Sequence, residues 1–132
     1  MKYLIVVAAL ISIQGYSQDI KSTSITWTVN QLNDLSTGKI ATYWCLFKTS
    51  SGQSIVWEQA KGYTINFDVV STTGSWTNVS TSGKVTYNVT SDGDDGTIIF
   101  EKDQTGVYIT LDWAQGSGDR LRRKYTVANV EF

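Results

Sequence analysis

Three groups of side chains in this chain have types and spacings that could do chemistry: an acidic segment, a basic segment and five tryptophans. Between positions 92 and 103 stand Asp92, Asp94, Asp95, Glu101 and Asp103 against a single base, Lys102. Clustered carboxylate oxygens suit a hard cation, and Asp92-Gly93-Asp94-Asp95-Gly96 begins like a calcium loop. The helix-loop-helix calcium pattern, however, needs an oxygen donor at its fifth position and a glutamate at its twelfth, where this chain has Gly96 and Asp103. A polar hairpin turn is the expectation, since Asp-Gly favours two-residue turns. No metal or other cofactor is expected; were a cation held, Asp92, Asp94 and Asp95 would be its ligands.

Near the C-terminus Arg120, Arg122, Arg123 and Lys124 place four cations in five positions. On a strand, Arg120, Arg122 and Lys124 share one face, and Leu121, Arg123 and Tyr125 the other. Such a strand either resists edge pairing by its charge or offers a contact to an acidic partner or anionic head group. The tryptophans, Trp27, Trp44, Trp57, Trp76 and Trp113, could line a sugar or lipid site, but most fit the inward phase of a strand and read as core. Trp44 and Trp57 stand apart. Trp44 belongs to the run Tyr43-Trp44-Cys45-Leu46-Phe47, apolar on both faces, and Trp57 lies in a short strand expected at a sheet edge. Trp44, Trp57, Arg120, Arg122, Arg123 and Lys124 are therefore the candidate partner-binding residues.

Absences bound the chemistry further. The chain has no histidine, which removes the commonest general base, the commonest metal ligand and every serine-histidine triad. One cysteine and no histidine cannot make the usual zinc site. Cys45, flanked by Trp44 and Leu46, reads as a small buried hydrophobe and can form no internal disulfide. Glu58, Asp68, Glu101 and Asp112 could serve paired-carboxylate catalysis, but no spacing singles any of them out, so no catalytic residue is named.

The elements that must position these groups are strands. From Ser24 onward apolar residues recur at every second position: Ile25, Trp27, Val29; Tyr63, Ile65, Phe67, Val69; Val85, Tyr87, Val89; Val107, Ile109, Leu111, Trp113. Period-two alternation puts one face of each strand on a core and the other in water, as in antiparallel sheets. Gly-containing turn signals such as Thr37-Gly38-Lys39, Ser82-Gly83-Lys84 and Gln104-Thr105-Gly106 separate the runs. An all-β fold follows: a single antiparallel β-sandwich or small up-and-down β-barrel of about 8–9 short strands, with at most one helical turn near Asn30–Leu35. The exceptional runs, Tyr43–Phe47 and Ile98–Phe100, would lie either under a loop or second sheet or in a surface patch that meets a partner.

Residues 1–17 read as a bacterial-type signal peptide, with Lys2, an apolar run from Leu4 to Ile13 and small residues at Gly15-Tyr16-Ser17. That ten-residue run, interrupted only by Ser12, spans about half of a ~30 Å hydrocarbon core. Residues 18–132 then form one β domain, with 11 basic and 12 acidic residues in the whole chain and no general affinity for polyanions such as nucleic acid.

Gly74-Ser75-Trp76 resembles the Gly-x-Trp element of lipocalins, which implies a ligand-holding eight-stranded barrel. The resemblance covers three residues, lies after several strands rather than on the first, and assigns no family. The expectation for function is an exported, non-catalytic β domain that binds another protein as an accessory or plug-like subunit of a bacterial cell-envelope assembly. It would be periplasmic or extracellular, and held at the outer membrane through that partner. The alternative is a small lipocalin-like carrier or binding module for a hydrophobic or sugar ligand, recognisable by an internal cavity of several hundred cubic ångströms. A third reading, an integral outer-membrane barrel, needs strands of about 9–11 residues, and the alternating runs last about 5–8.

Overall fold

In the computed structural model, which describes residues 19–51, 53–116 and 118–132, the alternation becomes eight strands closed into a barrel. The signal-peptide segment expected at 1–17 lies outside the described residues. The strands are β1 (Ile25–Asp34), β2 (Ile40–Ser50), β3 (Ser54–Gln59), β4 (Thr64–Ser75), β5 (Gly83–Ser91), β6 (Asp94–Lys102), β7 (Val107–Ala114) and β8 (Arg120–Glu131). Each pairs antiparallel with its sequence neighbour. Closure comes from β1 against β8, running from Thr26 opposite Glu131 to Asp34 opposite Arg123.

One open alternative is decided and two expectations change. The fold is the up-and-down barrel and not the sandwich, because β1 and β8 pair with each other instead of ending two separate sheets. Consequently no strand among the described residues lies at a sheet edge: β3, which carries Trp57, is paired on both sides by β2 and β4, and β8, which carries the basic residues, by β7 and β1. The helical turn near Asn30–Leu35 is instead the end of β1, kinked where the register slips between Val29 and Gln31. There Asn30 alone stands against Tyr43 and Trp44, a β-bulge whose extra residue is on β2, while toward β8 Asn30 is itself the extra residue between the Val29–Val127 and Gln31–Thr126 pairs and bends β1.

The inward side chains fill the axis. Trp27 lies 4.9 Å from Phe100 and 5.6 Å from Trp76, ring centre to ring centre. Phe47 stacks on Trp57 at 5.7 Å and approaches Tyr125 at 5.3 Å. An eight-stranded barrel has just enough interior for side chains, and here aromatic rings occupy it. At one end, the floor, the loops after β2, β4 and β6 gather. Here Trp76 and the 3-10 turn Ile20–Ser22 close the barrel, the Ile20 N–H donating to the Trp76 carbonyl at 2.9 Å. The Gly74-Ser75-Trp76 element thus ends the fourth strand of an eight-stranded barrel. At the other end, the mouth, lie the loops after β1, β3, β5 and β7.

The strands run from 6 to 12 residues, longer than the apolar runs that mark them, because polar residues extend both ends. Length therefore does not argue against a membrane barrel, but polarity does: Trp27, Phe47 and Phe100 point inward while Lys48, Asn88, Asp112 and Arg122 point outward. A membrane barrel alternates in the opposite sense. No helix among the described residues is long and apolar enough to cross a membrane.

Candidate functional site

The acidic segment is built as a turn. Asp92 and Gly93 join β5 to β6 with φ of 51° and 83°, the two left-handed residues of a type I′ hairpin, and Ser91 pairs with Asp94 across it. Asp103 opens the next hairpin, accepting from the Thr105 N–H at 2.7 Å and the Thr105 hydroxyl at 2.6 Å. Those bonds, the Thr105 hydroxyl first, hold its carboxyl below the usual range. Among the described residues no three acidic or sulfur side chains gather where they could hold a metal.

The basic segment is divided by the strand's own alternation. Arg120 and Arg122 point outward and converge on Asp112 of β7, Arg120 Nε donating to Oδ1 at 2.7 Å and Arg122 Nε lying 3.8 Å from Oδ2. Lys124 rests over the Tyr108 ring, 4.4 Å from its centre. Exposed pairs of this kind contribute little to stability, but they take three of the four cations out of a common basic patch. Glu58 is likewise engaged, by Lys48. Arg123 points the other way, into the barrel.

Trp44 and Trp57 also part company. On β2, Cys45 and Phe47 fill the interior while Trp44 is 50 % exposed on the outer wall and Ile40, on the same face, 61 % exposed. No second sheet among the described residues covers that wall. Trp57 is the reverse, 1 % exposed among Phe47, Tyr125 and Cys45, so it cannot reach a partner on the outer wall. The register explains it: Phe47, Trp57 and Ile65 are successive partners across β2, β3 and β4, all in the inward phase.

At the mouth, Trp57, Trp113, Ile65, Leu121, Gln59 and Arg123 border a cleft of about 160 Å³. Arg123 Nη1 lies 3.5 Å from the Tyr125 hydroxyl, the outer limit of a hydrogen bond. The Tyr43 hydroxyl donates to Gln59 Oε1 at 3.4 Å. Burial opposes the Arg123 charge, but the Tyr125 hydroxyl, Tyr43 and Asp34 more than offset it, so the guanidinium stays cationic. Burial also raises the Tyr43 and Tyr125 phenols, and pushes the Cys45 thiol up to about 12 despite the Trp57 indole and Arg123. A thiol so held is inert as a nucleophile at neutral pH. Sequence reasoning took Arg123 as one of four cations and passed over Tyr43, Gln59, Ile65 and Leu121. The legible signal was its place between Leu121 and Tyr125 in the inward phase.

The buried thiol and phenols set an alkaline limit. Burial pushes Tyr87, like Cys45, up to about 12. Because these folded values lie above the unfolded ones, their contribution is complete below the ordinary thiol and phenol range and is lost as pH rises toward the folded values. The melting temperature should hold steady from about pH 7 to 8 and fall from about pH 9 upward. Cys45→Val should flatten the first part of that fall in thermal melts. A melting temperature constant to about pH 11 would count against buried, neutral groups.

A scan of protein-family models and searches of curated proteins and of solved structures returned no match.

Proposed function

We propose that this chain is an exported, non-catalytic barrel that binds another protein as an accessory, plug-like subunit of a bacterial cell-envelope assembly. It would be periplasmic or extracellular and held at the outer membrane by that partner. The observation that carries this is Trp44: a large aromatic side chain half exposed on the outer wall, on one face with Ile40, while the aromatic residues around it in sequence fill the core. Exposed tryptophans are enriched among the residues that dominate binding energy. A side chain outside the core can be removed with little loss of stability, so its presence calls for another use.

Tagged protein recovered from gently solubilised envelopes should bring down a stoichiometric protein partner. Trp44→Ala should melt within about 0.5 kcal/mol of wild type yet bind at least ~30-fold more weakly, the loss of about 2 kcal/mol expected of a central aromatic anchor. Recovery of the protein alone from both preparations would sink this reading. The second reading, a lipocalin-like carrier or binding module, has no open central cavity in its favour, since aromatic rings occupy the axis. What favours it is the cleft at the mouth, too small for a long lipid.

A further inference from the structure

Four tryptophans of the barrel are buried, and three of them have an acceptor for the indole N–H. Trp27 donates to Thr49 Oγ1 at 3.2 Å, Trp76 to the carbonyls of Asn78 and Thr81 at 2.8 and 3.0 Å, and Trp113 to the Asp94 carbonyl at 3.2 Å. Trp57 Nε1, in a residue 1 % exposed, meets no oxygen or nitrogen acceptor among the described residues; its neighbour is the Cys45 sulfur, a weak acceptor. A second buried donor at the same cleft, Arg123 Nε, also lacks an acceptor among the described residues. Nor does any described carboxylate lie within ion-pair distance of Arg123: Asp34, its cross-strand neighbour, turns its own oxygen to the Ser36 N–H at 2.9 Å. Buried donors left without acceptors are costly, and a half-buried cation without an anion more so.

We infer that the mouth cleft binds a small organic carboxylate, its oxygens accepting from Arg123 and the Trp57 indole and its body lying against Trp113 and Leu121. The chemistry of the lining selects this class. Guanidinium is a permanent cation with donors matched to a carboxylate, an indole N–H only donates, and the remaining walls are the Trp113 indole, the aliphatic Ile65 and Leu121, and the neutral amides of Gln59 and Gln115. The volume, about 160 Å³, admits one aromatic ring or a short branched chain and excludes an extended acyl chain. The inference deepens the binding-module reading and is independent of any partner at Trp44.

The test is a titration of the full ¹⁵N-labelled protein with sodium benzoate and with isovalerate, followed by the indole N–H signals in NMR; benzamide, the neutral isostere of benzoate, is the control. At least one carboxylate should move the Trp57 indole signal saturably while the Trp76 signal, at the floor, stays. Benzamide should leave both in place. Arg123→Gln should weaken binding by at least about tenfold, equivalent to ~1.4 kcal/mol; Arg123→Lys, which keeps the charge and loses the fork, should fall between and serves alone if Arg123→Gln does not fold. Binding should also fade as pH drops through the probe's carboxyl range near about 4, since Arg123 does not titrate there. A Trp57 signal unmoved by both acids, or moved equally by benzamide, would overturn the inference, as would Arg123 variants that bind like wild type. The envelope recovery experiment tests Trp44 separately, so either reading can fail without the other.

Discussion

Trp27→Ala should destabilise the barrel by about 3–5 kcal/mol, the range for deleting a large aromatic side chain from a packed core. Trp27 is fully buried on the axis, where it touches Phe100 on one side and Trp76 on the other and so joins the middle of the barrel to its floor. Its indole N–H donates to Thr49 Oγ1, itself a buried polar group whose remaining bond is a 3.5 Å approach to the Ile25 carbonyl. Alanine would leave a void lined by two aromatic rings and a hydroxyl with one poor partner. Domains of this size have total stabilities of about 5–15 kcal/mol, so the variant should lose a large share, with a melting temperature lower by roughly 10–25 °C. Trp27→Phe, which keeps a ring but not the donor, should cost less than half as much. Equal melting of Trp27→Ala and wild type would mean that the axis is not the core.

The central place of Trp27 was legible because Ile25, Trp27 and Val29 alternate cleanly with threonines, and all three are buried. Closure was not. Whether eight alternating strands make two sheets or one barrel depends on the pairing of β1 with β8, residues about a hundred positions apart with no local turn signal to announce their meeting. Trp57 was misplaced for the same reason: a short strand ending in Glu58 and Gln59 looks like an edge until closure removes edges. The charge clusters failed differently. Arg120 and Arg122 find their anion in Asp112, from a strand that sequence reading treated as core, because Trp113 and Leu111 are inward and Asp112 between them is outward. Alternation already set Arg123 on the face of Leu121 and Tyr125; that this face is the inward one, beside Trp57, needed the closed barrel.

Gly83→Ala should be as damaging as many core deletions, although it adds only one methyl group. Gly83 opens β5 directly beneath the Trp76 side chain; a Cβ there would collide with Trp76 Cδ1 and Cγ and lie 2.8 Å from its Cβ. Trp76 has nowhere to retreat. Its N–H is held by two carbonyls in the β4–β5 loop, its own carbonyl anchors Ile20, and its ring rests on Trp27. Overpacking of this kind costs about 1–3 kcal/mol and more where the neighbour is fixed, so a loss of about 3 kcal/mol is expected, with the floor opening first. Gly93→Ala is the control: its Cβ would meet nothing within 4 Å, leaving only the strain of a left-handed φ of 83°, about 1 kcal/mol. The cause can be isolated by a double-mutant cycle. Trp76→Ala removes the ring that the added methyl would strike, so on that background Gly83→Ala should become nearly neutral, a coupling of about 2–3 kcal/mol between the two sites. Additive losses in thermal or denaturant unfolding would show instead that glycine is needed for its backbone alone, and that Trp76 does not seal the barrel floor.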